Sequence, residues 1–549
     1  MTTVSLEKLW GIYQFKPNPE QEKAIRHIDG PLYLPAGPGS GKTRVLLWRA
    51  VNLIVCNGVS PKEIYLATFT EKAAGQLKEG LRSLLGAASN FTNDPYDLAE
   101  MYVGTVHSLC RRLILDRRFH LNRARGKSSV LLDDLGQYFH LYNKRTWEQL
   151  VERVGLGEDA NSVINQVFES KSSSRHEAVT HCISFFNRLS EERIDPQSLL
   201  PQVTDAGLHT VVELYAHYLE SLRPPGQPRR VDFALLQQEA HSVLDAYSGG
   251  GNVFKHVIID EYQDTNTIQE SLFFRLAAGH RNICVVGDDD QALYRFRGAT
   301  VENFVQFPKR CQQRLGVAPR EIPLATNYRS RVQVVKFFGD FLNQCNWRKE
   351  GGGFYRVASK KIVANSADKE VSVVASQPAE PLVVCKEIAG LVRRLIDEGR
   401  VEDPSQIAFL YPSLKYKGKM TDQVARMKQA LEDEGLQVYA PRAGRFLEVD
   451  EAIDLFGLMV RIFGKPVRGD FPGQDYSHFH DWIDVCAATA EQLCAKDREL
   501  GHYISDCQAE LERARVDYEA MLAVAQKKGW DIKDPYDHSQ MKTALIAAR

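Results

Sequence analysis

The stretch PLYLPAGPGSGKTRVLLW, running from Pro31 to Trp48, decides the fold. A short apolar run ends at Leu34, a glycine-rich loop follows, and helical spacing sets in after Thr43. Strand, loop and helix in that order bring backbone N–H groups to a helix N-terminus, where they attract phosphate oxygens. Lys42 adds a point charge and Thr43 a hydroxyl suited to a magnesium ion. The pattern predicts a nucleoside triphosphate site with Mg2+, built from Ala36, Gly37, Gly39, Ser40, Gly41, Lys42, Thr43 and Arg44. The bland alternative is a glycine-rich turn that binds nothing.

The same alternation continues on both sides of a long interruption. Ile64 to Thr68 reads as a second strand, and Glu71 to Leu85 as a helix with Ala73, Ala74, Leu77 and Leu81 on its apolar side. From about 92 to 243 the pattern becomes helical, without an evident strand series. It closes with the loop RPPGQPRR (Arg223 to Arg230), a helix from Val231 and the glycine run Gly249 to Gly251. Two apolar strands then resume, HVIID (His256 to Asp260) and NICVVGD (Asn282 to Asp288), each ending in carboxylates. The expected class is α/β, an open parallel sheet with helices on its faces. Asp260 is placed to hold magnesium through water and Glu261 to polarise an attacking water. A capped strand end would account for one carboxylate, not for the whole string Asp260 to Asn266.

A chain of 549 residues is too long for one ordinary core. Lys plus Arg (69) nearly balances Asp plus Glu (70), so any contact with nucleic acid must come from local basic surface. The ten cysteines form no C-x-x-C pair, which disfavours zinc ribbons and iron–sulfur clusters and fits reduced thiols. The start, MTTVSLEKLW, has no signal-like apolar core, and no run approaches the roughly 18 apolar residues of a membrane span. The expectation is a cytoplasmic protein with no membrane partner.

The motifs, taken in order, resemble the UvrD/Rep-type helicases of superfamily 1, from about residue 15 to 450. The resemblance implies RecA-like parallel-sheet motor domains with a phosphate loop, interrupted by helical insertions. The domains expected are a first motor domain in two parts (1–91 and 244–321), an inserted helical domain (92–243), an incomplete second motor domain (322–464) and the start of a second helical insertion (465–549). In the second motor domain Ile407 to Tyr411 is expected as a strand and Asp422 to Glu434 as its helix. Ala487 to Lys528 reads as one long amphipathic stretch.

By resemblance, Gln21 in NPEQEKAI reads the adenine. Phe69 in TFTEKAA contacts a base, and Thr105 and His107 in GTVHSLC approach the DNA backbone. In GDDDQALYRFRGA, Gln291 senses the γ-phosphate, Tyr294 and Phe296 lie near bases, and Arg297 couples the two sites. Ala292 stands where the family usually has serine, and Phe296 where it often has tryptophan. In NYRS, Tyr328 stacks on adenine and Arg329 is the finger on the γ-phosphate. The catalytic set is then Glu261, Gln291 and Arg329, with Thr43 and Asp260 on the metal. PRAGRFLEVDEA (Pro441 to Ala452) is a weaker match with no assigned role. The basic run Arg111 to Lys127 suits either phosphate contact or a solvated helix face.

What the resemblance implies is ATP, Mg2+ and single-stranded or partially duplex DNA, in a 3′–5′ helicase or translocase with a role in DNA repair or replication restart. Two further family segments, one ending lysine-glycine-leucine-glutamate and one ending threonine-arginine-alanine, do not occur in these residues. Two readings therefore stay open: an ATP-driven motor, or a noncatalytic ATP- and single-strand-binding module or subunit of a split motor whose remaining motifs come from a partner chain.

Overall fold

The computed structural model describes residues 5–119, 129–247, 252–295, 298–350, 352–358, 360–416, 419–439, 449–465 and 477–527. The chain divides into two compact units, Met1–Val374 and Ala375–Arg549.

In the first unit the described residues build a six-stranded parallel sheet from β1 (Leu32–Pro35), β2 (Ile64–Thr68), β3 (Tyr102–Thr105), β4 (His256–Ile259), β5 (Ile283–Gly287) and β6 (Arg320–Glu321), in the order β3-β2-β4-β5-β1-β6. Leu32 is opposite Cys284 and Pro35 opposite Gly287, while Ala67 is opposite Ile259. Side chains alternate across a strand, so each face collects every second residue. Tyr33, Tyr65, Val257, Ile259 and Val285 enter one buried cluster, and Leu32, Leu34, Leu66, Ile258, Cys284 and Val286 the other. A parallel sheet covered on both faces needs such unbroken apolar strands. This is the RecA-like α/β arrangement expected from the motifs.

Helix α1 (Pro19–Arg26) precedes β1, α2 (Lys42–Val51) follows the glycine loop, and α3 (Glu71–Thr92) follows β2. The sequence reading put no strand between 92 and 243, yet β3 lies there and pairs with β2, Thr68 opposite Thr105. Its four residues are too few to show a period. Helix α4 (Val106–Leu115) leaves β3, and the helical segment includes α5 (Arg175–Glu191) and α6 (Phe233–Ala246) before α7 (Thr267–Ala277). Leu150, Ile164, Phe186 and Tyr218 from this segment share one apolar cluster with Tyr65 and Val257 of the sheet. The insertion is thus packed into the same core rather than tethered to it. After the sheet come β7 (Thr326–Asn327), α8 (Val332–Gln344) and β8 (Val363–Ala364), with β8 parallel to β7.

The second unit is helical among its described residues, apart from a two-residue pairing of Lys415–Tyr416 with Lys419–Met420. Helices α9 (Pro381–Asp397) and α10 (Asp422–Asp433) close over Cys385, Ala389, Met427 and Leu431. Ile407 to Tyr411 is not a strand. Ile407, Phe409 and Tyr411 do turn inward onto that cluster, but alternation alone makes no ladder without a neighbouring strand to bond. Helix α11 (Asp450–Phe463) packs on α12 (Ser477–Lys496) and α13 (Arg498–Lys527), so the predicted single stretch is two helices that break at Asp497. No helix among the described residues is long and apolar enough to cross a membrane.

Candidate nucleotide site

Loops that leave the carboxyl ends of parallel strands share one rim of a sheet, which is where open α/β sheets bind ligands. Here β1 delivers the glycine loop, β4 delivers Asp260 and Glu261, and β5 delivers Asp288 to Gln291. A cavity of about 390 Å3 lies among them, lined by Gly39, Ser40, Gly41, Lys42, Thr43, Arg44, Glu261, Gln291 and Arg329.

The glycine loop works through its backbone. Helix α2 starts after Gly41 and has no side-chain cap. The first N–H groups of a helix have no partner within it, so those from Gly41 to Arg44, residues that line the cavity, are left as donors for a ligand. Ala36 and Gly37 behave differently. Their N–H groups bond the carbonyls of Gly287 (2.9 Å) and Leu324 (3.2 Å), extending the sheet rather than facing a ligand. Gly39 has φ +66°, and a Cβ there would come within 2.8 Å of the Arg329 Cβ and 2.9 Å of the Asn327 Oδ1. Only glycine satisfies both the turn and the approach of the NYRS segment.

Lys42 Nζ lies 3.1 Å from Glu261 Oε2, and Gln263 Nε2 donates to the same oxygen at 3.0 Å. Glu261 sits at φ 50°, ψ 44°, a left-handed conformation that costs a non-glycine residue about 1–3 kcal/mol. Its neighbour Asp260 is buried and accepts the Glu261 N–H at 3.0 Å. Burial, then the charge of Glu261, pushes the Asp260 carboxyl well above its ordinary range, against the pull of Lys42. Asp264 is raised to about 7 by the same two causes in the same order. The Thr43 hydroxyl and the Asp260 carboxyl are oxygen donors of the kind a hard divalent cation takes.

The NYRS segment reaches the loop directly. Tyr328 N–H donates to the Gly39 carbonyl (2.9 Å) and Asn327 Nδ2 to that of Pro38 (2.8 Å). Tyr328 is 45% exposed, and its hydroxyl accepts from Asn18 Nδ2 at 2.9 Å. Arg329 is exposed at the cavity, with its N–H held by Asn327 Oδ1 at 2.8 Å. Gln21 is not free to face a base in this arrangement. It is 4% exposed, its Oε1 closes a capping box with the Asn18 N–H (3.1 Å), and its Nε2 donates to the Ser40 carbonyl (3.1 Å). It braces α1 against the phosphate loop.

The residues expected at DNA gather on the same rim. Phe69 follows Thr68, which is opposite Thr105 at the end of β3, and packs partly against the core. Thr105 is buried, caps α4 through Ser108 N–H and donates to Glu71 Oε1 at 3.0 Å. His107 is half-buried, packs on the Phe233 ring and lies 3.1 Å from Gln237 Nε2, and burial lowers its pKa. Tyr294 is 40% exposed. Phe296 and Arg297 lie outside the described residues, as do Pro441 to Glu448 and His120 to Lys127. Within the basic run, Arg112 donates to the carbonyls of Met101 (2.7 Å) and Ala99 (3.0 Å), and Arg118 pairs with Asp116 (2.8 Å), so both are tied into the fold.

Sequence reasoning missed Asn18, Gln263, Arg356 and Lys360. Asn18 was legible, since Asn18-Pro-Glu-Gln21 is a capping-box pattern. Lys360 binds the Asp288 to Asp290 carboxylates from some seventy residues away, a pairing no local spacing reveals.

Comparison with known proteins agrees with this geometry. The family description "UvrD/REP helicase N-terminal domain" matches residues 17–312. The chain is 28% identical over 411 residues to the probable DNA helicase II homolog of Rickettsia conorii, covering 73% of this chain and 56% of the relative. It is 30% identical over 349 residues to the ATP-dependent DNA helicase UvrD1 of Mycobacterium tuberculosis (61% and 40%). It is also 30% identical over 344 residues to the ATP-dependent DNA helicase PcrA of Staphylococcus aureus (61% and 41%). The chain spans about half the length of the curated relatives it matches. With the motifs in order on one rim of a parallel sheet and more than half the chain matched, this protein belongs to the UvrD/REP helicase family.

Proposed function

We propose that this chain is an ATP-driven motor that moves 3′ to 5′ on single-stranded DNA and separates duplex ahead of it. The observation that carries the reading is the convergence of the α2 N-terminus, Glu261, Gln291 and Arg329 on one cavity. The polarity and the DNA substrate rest on the family.

In this reading the triphosphate lies along the N–H groups from Gly41 to Arg44, with Lys42 on its outer phosphates. Thr43 and Asp260 would hold Mg2+, which when bound would supply positive charge against the triphosphate. Lys42 is paired with Glu261 through Oε2, so its transfer to phosphate takes the opposing charge off the carboxylate and leaves it more able to accept a proton from water. Gln263 keeps the carboxylate in place meanwhile. Water oxygen bonds to the γ-phosphorus, the bond to the β-phosphate oxygen breaks, and Arg329 offsets the charge that develops. Phe69 and Tyr294 offer rings for stacking, worth roughly 1–3 kcal/mol per base and indifferent to sequence.

Steady-state ATP hydrolysis by the 549-residue chain, with and without single-stranded DNA, tests this reading, with Lys42→Ala as background. Turnover stimulated by DNA is expected. Nucleotide and DNA binding without turnover would instead support a noncatalytic module.

A further inference from the structure

Lys360 has no exposed side-chain surface, and its ammonium lies within reach of three consecutive carboxylates: Asp288 Oδ1 (2.6 Å), Asp289 Oδ1 (2.5 Å) and Asp290 Oδ2 (2.8 Å). Two more residues of the same segment donate to these carboxylates. Arg356 Nε donates to Asp290 Oδ1 at 2.7 Å, and the Val357 N–H to Asp289 Oδ2 at 2.6 Å. Burying an amine is costly unless it is well paired, and apolar residues usually fill such a place as stably. A role in fixing geometry explains the arrangement better than a role in stability.

What the arrangement fixes is the loop carrying Gln291. The Gln291 amide donates to Asp288 Oδ2 at 2.5 Å, the second oxygen of the carboxylate that Lys360 holds. The Asp288 N–H donates to Gln263 Oε1 (3.0 Å), whose amide nitrogen holds Glu261. A continuous path of bonds therefore runs from Lys360 through Asp288 to Gln291 on one branch and to Glu261 on the other. Two residues beyond Lys360, Ile362 lies so close to Gly37 that a Cβ there would collide with it. Val363 and Ala364 then pair with Thr326 and Asn327. One strap thus touches the phosphate loop, the loop from Asp288 to Gln291 and the NYRS segment.

We propose that Lys360 is a positioning residue for triphosphate recognition: by clamping Asp288 it sets the Gln291 amide and the Gln263–Glu261 pair where a γ-phosphate is read. The assignment rests on the nucleotide reading given above. Its test is the ratio of affinities for ADP and a slowly hydrolysed ATP analogue, ATPγS, measured by calorimetry with Mg2+ on the full chain. The unmodified chain should prefer ATPγS. Lys360→Met should lower that preference about tenfold, the scale of one charge-assisted hydrogen bond, with ADP affinity held within about twofold. Gln291→Ala should do the same, and the double variant should lose no more than Gln291→Ala alone. General damage to the fold would weaken both nucleotides together, and that result overturns the assignment. If Lys360→Met does not fold, Lys360→Gln with Asp289→Asn removes one charge of each sign and is expected to show the same loss. An unchanged preference in a folded variant overturns the positioning role alone. Failure of the unmodified chain to bind either nucleotide overturns the nucleotide reading, and this assignment with it.

Discussion

Lys42 and Glu261 are joined at 3.1 Å, so the charge that should grip phosphate is held by the carboxylate that should activate water. Each restrains the other. Glu261→Gln removes the charge but keeps the shape and the bond from Gln263. We expect nucleotide affinity to be kept or raised and hydrolysis to fall about 10²–10⁴-fold, the usual contribution of a general base. Calorimetry beside a phosphate-release assay checks both, and unchanged turnover would remove Glu261 from the chemistry.

Arg329 lines the cavity, with its backbone held by Asn327. Arg329→Ala should lower hydrolysis about 10³–10⁵-fold, as loss of an arginine finger does, with ATPγS affinity changed only several-fold. A fall in affinity matching the fall in rate would make it a binding residue instead.

Asn18 caps α1 and also bonds the Tyr328 hydroxyl at 2.9 Å. Asn18→Ala should cost about 0.5–2 kcal/mol from the lost cap and raise the KM for ATP several-fold as Tyr328 loses its tether. Asn18→Ser keeps a cap without reaching Tyr328, and should restore the melting temperature but not the KM. Recovery of both would show that the tether is unimportant.

Glu191 ends α5, where burial raises its pKa to about 7 against the pull of Arg188 and a bond from Asn266. A carboxyl raised on folding stabilises the native state below its unfolded pKa near 4.5 and loses that contribution as pH rises through about 7. Glu191→Gln should therefore melt at a higher temperature than the unmodified chain at pH 8.5, with the difference shrinking towards pH 5.5. At the alkaline end it is on the order of 3 kcal/mol. A pH-independent difference would assign the effect to packing.

The sheet and its rim were legible in the sequence because both depend on short-range pattern. Unbroken apolar strands running into a glycine-rich loop or into carboxylates mark β1, β4 and β5, and three of the four groups proposed for chemistry lie in the segments that follow them. What was not legible depends on distant partners. Gln21 was expected at a base, but whether its amide faces a ligand or Ser40 is set by how α1 seats on the loop. Thr105 carries the right group, but its hydroxyl donates to Glu71. Ile407 to Tyr411 alternates as a strand does, but a strand is made by its neighbours. Lys360 has no local signature at all, since its role exists only once Asp288 is beside it.

The left-handed backbone at Glu261 sets stability against activity at one position. Glycine adopts that conformation without strain, so Glu261→Gly should hold or raise the melting temperature while hydrolysis disappears. A scanning-calorimetry trace showing a clear loss of stability would mean that the bonds from Lys42 and Gln263 outweigh the strain. If the melting temperature instead holds or rises, a screen for thermal resistance alone would select, at residue 261, against the hydrolysis proposed for this site.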